Sequence, residues 1–156
     1  VKNSAPLIRV GGRSLRTESL LDTSMVTSNL TQSPRVLLIE QQEVVSLVIA
    51  HILESNGFSV DIQKNGQGAL RSAQEFEPDF IVSSLKLPDM NGPDVVREIL
   101  ANDNRRHAKP IFFCSESGTP RKDSLNFIEI NGQRHPNLNR DCTRGTLLDT
   151  IAAMQN

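Results

Sequence analysis

Residues 79–92 read DFIVSSLKLPDMNG, and this stretch decides the fold. Phe80-Ile81-Val82 is a short apolar run of the kind buried on both faces of a parallel sheet. Two serines follow, and the chain then turns through Pro88-Asp89-Met90-Asn91-Gly92. Val95, Val96, Ile99 and Leu100 come next at helical spacing. The reading is strand, loop, helix, with polar side chains delivered to the carboxyl end of the strand. Open α/β sheets build their sites at that end.

Working outward, the same alternation recurs. Val36-Leu37-Leu38-Ile39 is a continuous apolar run ending in Glu40, a buried parallel strand. Gln42 to Asn56 is helical, with Val44, Val45, Val48 and Ile52 on one face and Gly57 as its stop. Phe58 to Gln63 alternates as a strand, and Asn65-Gly66 turns the chain. Gln67 to Phe76 is helical through Ala69, Leu70 and Ala73, and Pro78 forbids its continuation. Beyond the central stretch, Pro110 to Cys114 is a fourth buried strand. Pro120 to Ile130 suits a helix, with Pro near its start and Gly132 after its end. Residues 136–140 make a poor fifth strand. Thr143 can cap a last helix in which Leu147, Leu148, Ile151 and Met154 share a face. Strand and helix alternate five times from residue 35, which implies an α/β fold with a parallel sheet covered on both faces.

The 156 residues suit one domain plus an arm. Residues 1–33 are rich in Ser, Thr and Gly, and Lys2, Arg9, Arg13 and Arg16 outnumber Glu18 and Asp22. We expect an irregular linker or arm there, disordered or loosely docked, with a short helix around Arg16 to Met25 and a partner-binding peptide as the sharper alternative. Residues 34–156 form the domain. A start at Val rather than Met leads us to expect a processed or excised piece. A net charge of −1 leaves no basic footprint for nucleic acid. No apolar run has the length of a membrane span and no signal pattern opens the chain. Two cysteines make no disulfide scaffold, so a cytoplasmic setting is expected.

RVLLIE, NGFSVDIQKNGQGAL, EPDFIVSSLKLPDMNGPDVVREI and KPIFFCSES together resemble the receiver domain of two-component response regulators, the CheY-like family, over about residues 35–155. The central block is the most specific, matching Pro-Asp, an apolar run, and then Pro-x-Met-x-Gly. The resemblance implies a flavodoxin-like (βα)5 doubly wound sheet of strand order 2-1-3-4-5, preceded by the arm, and a place in a phosphorelay. Receivers are phosphorylated on an Asp four residues before the Pro matched by Pro88, and that position is Ser84. They carry two acids at the end of the first strand, which hold Mg²⁺ with the acceptor. Here these are Glu40 and Gln41. A serine needs a base to activate it, and Mg²⁺ wants hard, anionic oxygens. Glu40 is expected to bind it weakly at best, with Glu43 a remote helper. The phosphoryl-contact positions fall on Ser115 and Arg140, and the aromatic switch position on Asn137. Asp141 follows Arg140 where the family has a cis proline, so that loop is expected to be remodelled.

The expectation from these departures is a degenerate, or pseudo-, receiver: not an enzyme, without a required cofactor, acting through a protein partner or another domain of a longer chain. The docking face would be helix four, strand five and helix five, here Pro120 to Gln155. Ser84 could equally serve only to satisfy strand-end backbone groups. Arg140 could pair with Glu40 across the pocket, in which case Arg140→Ala would lower stability without any ligand. An alternative is a phospho-receiver modified at Ser84 or Ser83 and read by Ser115 and Arg140. A third class, an enzyme with Ser84 as nucleophile, lacks a G-x-S-x-G elbow and an aligned histidine. Cys114 and Cys142 read as packed free thiols rather than a redox pair. His51, His107 and His135 lack metal-ligand spacing and read as scattered surface or helix histidines. Arg105-Arg106-His107 reads as a solvated basic patch. Gly66-x-Gly68 lacks the spacing of a nucleotide fingerprint.

Overall fold

The computed structural model describes residues 32–102, 104–105, 107–113, 127–138 and 144–155. The expected arm, apart from residues 32 and 33, lies outside these. So do Cys114, Ser115, Arg140, Asp141, Cys142 and Thr143. The described elements, in order, are β1 (Arg35–Ile39), α1 (Glu43–Glu54), β2 (Ser59–Gln63), α2 (Gly66–Phe76), β3 (Phe80–Ser84), α3 (Gly92–Leu100), β4 (Lys109–Phe113), β5 (Phe127–Ile130), β6 (Gln133–Leu138) and α4 (Arg144–Met154). They build one six-stranded sheet of order β2-β1-β3-β4-β6-β5. The first five positions are parallel to their neighbours and repeat the expected 2-1-3-4-5 order, with β6 as the fifth strand. This is the CheY-like, flavodoxin-like arrangement with one strand added at the edge.

Strand alternation sends successive side chains to opposite faces, so an all-apolar strand needs two cores. Leu37, Ile39, Ile81 and Phe112 meet Ala69 and Ala73 of α2 and Val95, Val96 and Ile99 of α3 on one face. Val36, Leu38, Phe80, Val82 and Ile111 meet Ala50 and Leu53 of α1 and Leu147 and Ile151 of α4 on the other. Asp79 sits at the amino end of β3, where its Oδ2 accepts from the Arg35 amide at 2.8 Å.

Three expectations are corrected. The helix expected over Pro120 to Ile130 does not reach that far: Phe127–Ile130 is a strand, antiparallel to β6. Asn131 and Gly132 join the two with φ of 52° and 81°. Positive φ at both positions is the turn whose twist matches a hairpin, so Gly132 closes a hairpin rather than following a helix. The fifth strand runs over 133–138 instead of 136–140. In α1, Ser46, Ala50 and Leu53 face inward, while Val44 and Val48 are 75% and 54% exposed together with Leu47. Eight of the twelve α1 residues are apolar, so periodicity alone could not choose the inward face. Ser46 can turn inward because its Oγ donates to the Glu43 carbonyl at 2.8 Å.

Candidate functional site

The carboxyl ends of β1 and β3 lie side by side, Ile39 in register with Ser83 and Ser84 in register with Phe113 of β4. Glu40 follows β1 directly and is fully buried, as are Ser83 and, at 2% exposure, Ser84. The topology therefore brings Glu40 and Ser84 to one edge, while Gln41 is exposed. Glu40 is held through both its backbone and its side chain. Its amide donates to the Gln63 carbonyl at 2.9 Å, and its Oε1 accepts from the Gln42 amide at 2.8 Å. Its Oε2 is buried and has no hydrogen-bond partner among the described residues. The expected Glu40–Arg140 pair involves a residue outside those described. Ser83 Oγ donates to the Ser84 carbonyl at 2.9 Å.

The loop after β3 is closed tightly. The Leu85 amide donates to the Phe113 carbonyl at 3.0 Å, the Gly92 amide to the Leu85 carbonyl at 2.8 Å, and the Leu87 amide to the Met90 carbonyl at 3.1 Å. A Cβ on Gly92 would stand 2.1 Å from the Ser84 carbonyl oxygen and 2.9 Å from Ser83 Oγ. The loop can return to the strand end only where residue 92 has no side chain. Pro93, within the first turn, and Asp94 then start α3 well, the proline lacking an amide that has no partner there and the carboxylate facing the helix dipole.

Asp89 has a role that sequence reasoning missed. Its two oxygens accept from the Gly66 amide at 2.7 Å and the Gln67 amide at 3.0 Å, at the start of α2. Those two amides hold its carboxyl below the ordinary aspartate value. Asn65 Oδ1 takes the next amide, that of Gly68, at 2.7 Å. Asp89 thus ties the β3–α3 loop to the neighbouring βα turn. No sequence signal marks a partner more than twenty residues away. Gly66 allows the approach, since a Cβ there would meet Met90 Sδ at 2.7 Å.

Asn137, at the position matched to the switch, is half-buried on β6 in register with Phe112. His135 departs from expectation. It is a strand residue 8% exposed, and burial lowers its pKa below the ordinary 6.5. His51 and His107 are exposed, as expected.

As a place for a divalent cation, the described strand ends supply one buried carboxylate and hydroxyls. Mg²⁺ is ordinarily held by one or two carboxylates with several waters in octahedral array. A fully buried Glu40 beside Ser83 and Ser84 is a poor match to that donor set. Among the described residues no three His, Cys, Asp or Glu side chains gather in one place.

Similar proteins share this frame. The aerobic respiration control sensor protein ArcB of Escherichia coli K12 is 36% identical over 76 residues, covering 49% of this chain and 10% of that protein. The transcriptional regulatory protein PrrA of Mycobacterium tuberculosis is 39% identical over 72 residues, covering 46% of this chain and 31% of that protein. The chain thus spans less than two thirds of either relative. The chemotaxis protein CheY4 of Vibrio cholerae superposes with a TM-score of 0.65 at 20% identity, covering 79% of this chain and 99% of that one, a likeness of fold. The family model of the response regulator receiver domain matches residues 36–135, and the chain belongs to that family.

Proposed function

We propose that this receiver domain of two-component signalling works as a pseudo-receiver, transmitting through protein contact rather than through an aspartyl phosphate. The observation that carries the reading is Ser84, buried at the end of β3 where the resemblance places the phospho-accepting aspartate. A hydroxyl there has no carboxylate's charge to attack a phosphoryl group and needs a base. Glu40, Gln41, Ser115, Arg140 and Asn137 are then the remnants of an acid pocket, a phosphoryl clamp and a switch. On this reading the domain is not an enzyme, requires no Mg²⁺, and resides in the cytoplasm. Among the described residues no helix is long and apolar enough to cross a membrane. Its partner is a protein, or another domain of a longer chain, docked on the face from Pro120 to Gln155. Within that face β5 replaces the end of the expected helix, so a partner there meets a strand edge. The competing reading, a kinase-modified Ser84, is weakened by that hydroxyl's burial.

The test is an amide NMR titration of the full chain with Mg²⁺ and then beryllium fluoride, a phosphoryl mimic that binds an acceptor carboxylate. The amides of Glu40, Ser84, Ser115 and Arg140 are expected to stay in place. Shifts there that spread to β6 would overturn the proposal.

A further inference from the structure

The β5–β6 hairpin is attached to the sheet unevenly. Among the described residues, only Asn137 and Leu138 pair with β4, opposite Phe112 and Phe113. Among the described residues, the rest of β6 pairs with β5 alone, from Ile130 opposite Gln133 to Phe127 opposite Pro136. Pro136 has no amide hydrogen to donate. The outer half of the hairpin is therefore held to the body by side chains rather than by a backbone ladder. Those side chains are identified by strand parity. Ile128 and Ile130 of β5 join the core face formed by Phe112, Val96, Ile99 and Leu100. His135, opposite Ile128, lies on that same face.

His135 is the exception in this seam. It is almost fully buried, and its Nε2 has no hydrogen-bond partner among the described residues. Among the described residues, its neighbours on the face offer no opposite charge. Gln133 and Asn137 share its side of β6, Ile128 and Ile130 that of β5, and Pro110 and Phe112 that of β4. The charged residues of α3, Asp94, Arg97 and Glu98, are exposed, and Asp94 is paired with Arg97. Glu129 and Arg134 occupy the hairpin's other face, with Arg134 stacked 4.3 Å over the Phe127 ring. Lys109 of β4 also points to the other face, where its Nζ donates to the Met154 carbonyl. An imidazolium at this place would be a desolvated charge without a counter-ion among the described residues, a costly state.

We propose that the hairpin is an acid-operated latch: protonation of His135 releases β5 and the outer half of β6 from the sheet edge, swinging about the Asn137–Leu138 attachment and uncovering Ile128, Ile130 and the flank of α3. The proposal is independent of the pseudo-receiver reading, because nothing in it passes through Ser84 or Glu40. Its direction follows from linkage. The closed latch favours the neutral imidazole and the open one accepts the proton. Above the ordinary histidine value of about 6.5 the closed form carries no penalty. As pH falls below that value, the ratio of closed to open drops by about tenfold per pH unit until the closed form itself takes the proton.

The experiment follows the full chain by NMR from pH 8 to 4.5, reading the three imidazoles and the protection factors of backbone amides. His51 and His107, both exposed, are references in the same spectra. We expect His135 to titrate below about 6.5 and the amides of β5 to lose protection as pH falls, because a hairpin released from the sheet is marginal in water and frays, while those of Leu37 and Ile81 keep theirs. In His135→Phe, β5 protection becomes independent of pH over the same window. Three results would each overturn the latch: His135 titrating at or above its ordinary value, β5 and the central strands losing protection together, or His135→Phe keeping the wild-type pH dependence. The first two use the native protein, so the proposal stays testable if the variant does not fold.

Discussion

The β3–α3 loop and the β5–β6 turn both reverse the chain at a glycine, and they need it for opposite reasons. Gly92 lacks a positive φ but has the Ser84 carbonyl where its Cβ would be. Gly132 has nothing within 4 Å of a Cβ but holds φ at 81°. One position requires empty space and the other requires a left-handed backbone. The contrast extends to the surroundings. The loop after β3 is closed by amide–carbonyl bonds of its own, and is bound by one such bond to β4 and by Asp89 to α2. The hairpin is bound mostly by apolar side chains and one buried imidazole. The first is built to hold still, and the second can let go in one step.

The comparison breaks most visibly at Gly92. Gly92→Ala is expected to cost about 3 kcal/mol or more, because the obstructing atom is backbone and cannot rotate away; denaturant unfolding reads it. Gly132→Ala is expected to cost about 1–2 kcal/mol, the strain of a left-handed alanine. Gly132→Asn sharpens the distinction. Asparagine tolerates that backbone, so the loss at 132 should shrink, whereas Gly92→Asn should remain as damaging as alanine. Equal losses for asparagine at both positions would erase the contrast. The smallest effect is at exposed Asp89. Its tie to Gly66 and Gln67 is present above the ordinary aspartate value of 3.8 and is lost as pH falls through a lower, folded-state value. The Gly66 amide resonance is therefore expected to move with an inflection below 3.8, and to lose that inflection in Asp89→Asn. An inflection at or above 3.8 would show that the amides do not hold the carboxylate.

Much of this was legible in the sequence where the relevant physics is local. Apolar runs such as Val36–Ile39 and Phe80–Val82 announce strands buried on both faces, and the helical spacing after Gly92 announces α3. Ser84 and Glu40 could be placed at strand ends because β1 and β3 end where their apolar runs end. The hairpin was not read, although Asn131-Gly132 between Phe127–Ile130 and a following strand is a strong turn signal. It was masked by Pro120 and Gly132, which suit the two ends of a helix equally well. The inward face of α1 was not legible, because apolar residues lie nearly all round it. The partners of Asp89, the unbonded Oε2 of Glu40 and the burial of His135 were illegible for a further reason. Each depends on how elements far apart in the chain are set against one another.

The added strand also changes how the sheet is assembled. Each parallel pair must wait for a crossover: Arg35 meets Asp79 across 44 residues, and closing loops of that size is what slows parallel sheets. The β5–β6 pair needs only a two-residue turn and can zip within about 1–10 μs. An isolated hairpin is marginal in water, so it forms and dissolves until β4 offers Phe112 and Phe113 as its anchor. The last strands of the chain are thus the first able to meet and among the last to be kept.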